Sequence, residues 1–150
     1  MTVDFEFKRS PKYQVASIRW KGPWNEKQIR AKFDALASWA KKNRLRVGHW
    51  IFREPGNRTW EVCIEIKGRA TASRGIQLKT FPAATVARVV FDPEQVSPRV
   101  VYHGLNDWTR ARRRDKEIKS VSSSREIYPG DPWRSPAAWK ATEIQYIVRK

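Results

Sequence analysis

Ser124–Val148, S-R-E-I-Y-P-G-D-P-W-R-S-P-A-A-W-K-A-T-E-I-Q-Y-I-V, closes the chain and decides how the rest of it is read. Arg125–Tyr128 and Ala141–Val148 are short β-type runs around a loop of Pro, Gly and Trp. Each run carries one glutamate, Glu126 and Glu143, among apolar neighbours. On neighbouring strands beneath Trp133 and Trp139, the two carboxylates are expected to form one site. The period of two along a strand sends Ile144, Tyr146 and Val148 to one face and Glu143, Gln145 and Ile147 to the other.

Earlier segments repeat the design. Phe7-Lys8-Arg9-Ser10-Pro11 resembles Leu78-Lys79-Thr80-Phe81-Pro82, and Leu36-Ala37-Ser38-Trp39 resembles Leu105-Asn106-Asp107-Trp108. Glu61-Val62-Cys63-Ile64 resembles Glu143-Ile144-Gln145-Tyr146, which makes Glu61 the counterpart of Glu143. By the same alignment Ile51 stands for Glu126. The expectation is a single α+β domain of two β-β-α-β-β copies, about residues 2–68 and 75–150, joined by 69–74. Its sheets are expected to be mostly antiparallel, with one long helix per copy. In the first copy Asn25 caps a helix with Ile29, Phe33, Leu36 and Ala40 on one face, ending near Asn43. A hairpin about Glu54-Pro55-Gly56-Asn57 follows. In the second copy Ser97 caps a helix that Pro98 opens. A groove between the copies is the expected ligand site.

Composition bounds the function. A chain of 150 residues can bury roughly 70% of its unfolded surface, enough for a real core. No apolar run nears the roughly 20 residues of a membrane span, so no membrane partner is expected. The N-terminus alternates and carries acids, unlike a signal peptide, and the lone Cys63 suits a reducing cytoplasm. Cys63 lies in an apolar run with no basic neighbour and reads as a small buried hydrophobe. Two histidines give little support for a metal site or a His-based triad, and nothing calls for a cofactor. A net charge of +16 allows a nucleic-acid partner. The basic run Arg110–Lys116 instead ends a helix, where cations meet the negative end of its dipole, and no DNA-binding motif accompanies it. Eight tryptophans speak for flat apolar ligands as well as for a core.

Taken in order, R-W-K-G-P-W (19–24), F-D-A-L-A-S-W (33–39), W-E-V-C-I-E-I (60–66), G-I-Q-L-K-T-F-P-A (75–83) and T-E-I-Q-Y-I-V (142–148) resemble the GyrI-like small-molecule-binding domain. This is the effector-binding module of AraC-type and MerR-type multidrug regulators, also found alone. Asp92-Pro93-Glu94 stands where the family usually has a Gly-Pro-Tyr turn. The resemblance implies a pseudo-twofold pair of modules, aromatic walls and an acid at the base of the groove, binding lipophilic and often cationic compounds. The acidic role falls to Glu143 and Glu126. Trp133, Trp139, Trp20, Trp24, Trp50, Trp60 and Glu61 would line the groove. With no DNA-binding region before residue 1, the chain looks like a standalone member. Some of those resemble hydrolases that open the cyclopropane ring of DNA-alkylating compounds. On that reading Glu143 or Glu126 activates water and Tyr102 polarises the electrophile. Others are thought to protect DNA gyrase by contacting a protein partner.

Overall fold

The structure, a computed structural model, describes residues 3–150. They divide into two compact units: a continuous one, Lys12–Pro82, and a split one, the residues up to Pro11 together with Ala83–Lys150. Each is an antiparallel four-stranded sheet with one long helix on one face.

The continuous unit contains β2 (Tyr13–Lys21), α1 (Glu26–Lys42), β3 (Arg46–Gly56), β4 (Thr59–Lys67) and β5 (Gln77–Phe81). Its strands pair in the order β5-β2-β4-β3. The split unit contains β1 (Glu6–Ser10), β6 (Ala84–Phe91), α2 (Pro98–Arg114), β7 (Ser120–Tyr128), the short α3 (Pro136–Lys140) and β8 (Thr142–Arg149), with strand order β1-β6-β8-β7. Strand β1 thus belongs to the split unit's sheet, and β5 to the continuous unit's. β1 pairs with β6, and β5 pairs with β2. A contiguous β-β-α-β-β segment does not supply its own sheet.

Helix α1 forms where expected. The Asn25 side chain accepts from the Gln28 amide at 3.0 Å, capping the first turn. Asn43 is the C-cap. Ile29, Phe33, Leu36 and Ala40 form the buried stripe. Phe33 stacks on Trp50 at 5.0 Å between centroids, and Trp50 lies opposite Ile64. This fixes the face under α1 as that of Val62, Ile64 and Ile66, all buried. In α2, Pro98 opens the helix, but Ser97 makes no side-chain cap bond. Val101 and Leu105 pack with Ala87, Val89, Phe91, Ile144, Tyr146 and Val148, and Phe5, Phe7 and Trp108 border them. Gly104 is required by this packing, since a Cβ there would lie 2.7 Å from the Phe5 ring.

Three details differ from the sequence reading. Strand β3 runs through Gly56, so the turn narrows to Asn57 and Arg58, with Arg58 at φ 55°. The Trp loop holds α3, capped by the Ser135 hydroxyl accepting from the Ala138 amide at 3.2 Å. β7 begins five residues early, at Ser120. Among the described residues no helix is long and apolar enough to cross a membrane.

The two cores set the first expected outcome. Leu105→Ala, at a fully buried position, should cost about 2–5 kcal/mol of unfolding free energy in urea denaturation. Trp24→Ala, at a position 60% exposed, should change it by less than about 0.5 kcal/mol.

Candidate functional site

Strands β7 and β8 do pair, as the closing stretch suggested, but their register separates the two glutamates. Glu126 lies opposite Ile144, and Glu143 lies opposite Ile127. Ile144 belongs to the core beneath α2. Glu126 is thus on the helix face and Glu143 on the other, since side chains alternate.

Glu143 faces Arg88 across the sheet. Arg88 donates to both carboxylate oxygens, from Nε and Nη2, each at 3.0 Å. A two-bond fork of this kind fixes geometry as well as charge. Gln145 Nε2 donates to the same carboxylate at 2.6 Å, and Arg88 Nη1 donates to Glu6 at 2.7 Å. The hydrogen bond to Glu143, then its charge, hold the Arg88 guanidinium even more firmly protonated than usual. Glu143 is a compensated charge.

Glu126 is held differently. Tyr102, on α2, donates its hydroxyl to Oε1 at 2.6 Å. Tyr128 donates to Oε2 at 2.8 Å. Among the described residues Glu126 has no ion pair. Burial, followed by the Glu126 charge and the hydrogen bond to it, pushes both phenols far above their ordinary value. Tyr128 stacks on Trp139 of α3, with centroids 6.4 Å apart and planes 19° apart. Tyr146, whose ring is 6.5 Å from that of Tyr102, donates to Asn106 at 2.6 Å. The result is a half-buried carboxylate held by the Tyr102 and Tyr128 phenols, whose rings in turn pair with Tyr146 and Trp139, and among the described residues it has no cation.

The Trp loop is shaped by Asp131. Its Oδ1 accepts from the amides of Trp133 at 2.9 Å and Arg134 at 3.2 Å, and its Oδ2 accepts from Arg134 Nη1 at 2.7 Å. Trp139 of this loop stacks on Tyr128, whose hydroxyl holds Glu126.

The other expected lining residues lie in the continuous unit. Trp50 is core, stacked on Phe33 and 7% exposed. Trp60 stacks on Phe52 at 5.9 Å, and its indole donates to Gly22 O at 2.9 Å, pinning the turn after β2. Trp20 carries Lys32 Nζ 5.9 Å from its ring, and its buried Nε1 has no partner. Trp24 is exposed on the turn that follows β2. Glu61 is fully buried and accepts from Arg53 and Lys79, each at 2.5 Å, with Arg19 at 3.5 Å. Burial pushes its carboxyl up. The hydrogen bond from Lys79 and the charges of Arg53 and Lys79 outweigh this and hold it below the usual range. Cys63 beside it is buried, and burial, then the Glu61 charge, push its thiol well up, away from the thiolate form.

The sequence reading missed Tyr128. Its signal was present, because residues two apart on a strand share a face. It also misassigned a counterpart. With Glu61 matched to Glu143, the registers Phe52↔Val62 and Glu126↔Ile144 set Phe52, not Ile51, at the place of Glu126. The β-bulge between Val47 and Trp50 shows that β3 does not run in even register with β4.

The chain is an α+β protein of antiparallel sheets, with an aromatic-bordered carboxylate on the helix side of one unit. Residues 4–146 match the GyrI-like small molecule binding domain, and the chain belongs to that family. The crystal structure of the EcmrR C-terminal domain is similar, with a TM-score of 0.77 at 21% identity over 100% of this chain and 99% of that one. The match to EcmrR in its DNA complex has a TM-score of 0.76 at 20% identity over 99% of this chain; it spans 58% of the EcmrR chain. SAV2435 bound to tetraphenylphosphonium is matched at a TM-score of 0.53 and 11% identity, over 97% of this chain and 94% of that one. A hydrolase encoded by lin2189 from Listeria innocua is matched at 0.60 and 12%, over 96% and 91%. These are likenesses of fold. No curated protein matches the chain.

The Glu61 cluster gives a pH prediction. Its carboxyl titrates lower in the folded state than the ordinary 4.5, so it adds stability above that value, and this is lost as pH falls through the folded-state value. In urea denaturation across the acid range, Glu61→Gln should flatten the loss of stability below about pH 4.5. An unchanged acid limb in the variant would contradict the assignment.

Proposed function

We propose that the chain binds lipophilic organic cations, with Glu126 as counter-charge and the rings of Tyr128, Trp139, Tyr102 and Tyr146 as the apolar surround. One observation carries this reading: Glu126 is the sheet carboxylate that two phenols hold in place and no cation neutralises, whereas Glu61 and Glu143 are already paired. A half-buried charge of this kind gains most from a ligand that brings the opposite charge without a tight hydration shell. Aromatic faces attract such a cation as well. Family membership supports a small-molecule ligand, and SAV2435 was solved with tetraphenylphosphonium. Sensing, sequestration or detoxification of drug-like compounds would each use such a site. The buried, lone Cys63 suits a reducing cytoplasm.

Shared strand orders, β5-β2-β4-β3 and β1-β6-β8-β7, support reading the chain as two β-β-α-β-β copies, about 2–68 and 75–150, whose first strands are exchanged. On that reading the second copy acquired its acid by replacing an apolar pair, Phe33 and Phe52, with Tyr102 and Glu126.

Hydrolysis is a second reading, favoured by the 2.6 Å contact between Tyr102 and Glu126. A carboxylate that takes a proton from water and returns it to the opened ring, beside a phenol that polarises the electrophile by hydrogen bonding, suits the opening of a strained ring. Mass analysis of a cyclopropane-bearing ligand after incubation separates the two, because hydrolysis adds one water and binding adds none.

Tetraphenylphosphonium should quench tryptophan emission on binding. Glu126→Gln should weaken that binding about tenfold, or about 1.4 kcal/mol, while Glu143→Gln should leave it within about twofold. A loss confined to Glu143→Gln would overturn the assignment.

A further inference from the structure

The face of the continuous unit's sheet turned away from α1 carries charges that the cation site does not use. Glu61 is fully buried there, and three cations converge on it. Register explains the convergence. Arg19 on β2 and Arg53 on β3 stand directly opposite Glu61 on β4. Lys79 reaches in from β5, the strand beyond β2, where it lies opposite Val15. One carboxylate neutralises one of the three, so two positive charges are left over.

The surplus is reachable. The side chains of Arg19, Arg53 and Lys79 keep 44%, 22% and 25% exposure while Glu61 keeps none. The donors are also unspent. Arg53 gives Glu61 only its Nε, and Arg19 gives it one Nη at 3.5 Å. A guanidinium carries five N–H groups and an ammonium three. Arg53 is further fixed over the Phe81 ring, 5.3 Å from its centroid. Two residues before Arg19 and on the same face, the fully buried Ser17 has a hydroxyl with no partner.

The matching positions in the split unit are different. Opposite Glu143 stand Val90 and Ile127, both apolar. Its cation is Arg88, which is shared with Glu6, so two acids meet one base. In direct ion pairs, cations outnumber acids at Glu61, and acids outnumber cations at Arg88. The whole composition leans the same way: the continuous unit holds 16 of the 31 Lys and Arg but only 5 of the 15 Asp and Glu.

We propose that Arg19, Arg53 and Lys79 form a second binding site, which takes the carboxylate, sulfonate or phosphate group of a small organic anion. Glu61 acts as the buried counter-charge that holds the three cations together without neutralising them. Guanidinium groups suit the planar or tetrahedral oxyanion because their fork donates two parallel bonds. The site is independent of Glu126, and the chain would accept ligands of either sign at different places.

The test uses 1-naphthalenesulfonate as probe and isothermal titration calorimetry as readout. Arg19→Gln is the main variant, because its ion pair is long and its side chain half exposed, so the fold tolerates the loss. It should weaken sulfonate binding about fivefold. Arg30→Gln removes an equal charge from the exposed side of α1 and should leave affinity within about twofold, which separates a local site from general attraction to a basic protein. Glu126→Gln should have no effect, so the failure of either site leaves the other standing. Equal losses in Arg19→Gln and Arg30→Gln, or no loss in Arg19→Gln, would overturn the proposal.

Discussion

The antiparallel register of β7 on β8 sets Glu126 opposite Ile144 and Ile127 opposite Glu143, and the chemistry of the split unit depends on it. A shift by one residue would exchange the faces of every side chain on the strand. As paired, Ile144 and Tyr146 anchor the core under α2, and the same alternation delivers Glu126 to Tyr102 on that helix. Glu143 is delivered to Arg88 instead. Two glutamates that look equivalent in sequence are thereby given opposite fates, one neutralised by a forked cation and one held by neutral donors.

Charge compensation is what distinguishes the carboxylates. Removing an acid from water is costly unless a cation or several donors replace the solvent. Glu61 meets that cost with three cations, and Glu143 meets it with Arg88 and Gln145. Glu126 meets it with two phenolic hydroxyls, which satisfy its oxygens without cancelling its charge. A cation arriving among the neighbouring rings would complete the compensation. The same bookkeeping, with the sign reversed, leaves the Glu61 cluster short of negative charge.

Much of the fold was legible because it rests on period and punctuation. Asn25, the stripe Ile29–Phe33–Leu36–Ala40 and the alternation of Val62, Ile64 and Ile66 each state a local rule that the packing obeys. The pairing of β1 with β6 and of β5 with β2 was not legible, since nothing in Phe7-Lys8-Arg9 says which edge it will extend. The site was half legible. Tyr102 and Glu126 were named as partners in chemistry, and they meet at 2.6 Å. The union of Glu126 with Glu143 failed, because pairing two strands does not fix which residues share a face until the register is known. Trp50 and Trp60 were read as groove lining, but both are occupied in their own unit, by Phe33 and by Phe52 and Gly22. Lys79 went unnoticed because it reaches Glu61 from β5, beyond β2, and Arg53 because its place opposite Glu61 appears only once the register of the β3–β4 hairpin is known.

The central claim is that Glu126, not Glu143, is the acid that meets a lipophilic cation. The most direct measurement is a crystal structure of the protein with tetraphenylphosphonium. The account predicts phosphorus within about 6 Å of the Glu126 carboxylate, with a phenyl ring against Tyr128 or Trp139, as a cation beside an aromatic face would sit. Density for the ligand beside Glu143 and Arg88, with the Glu126 cradle empty, would contradict it.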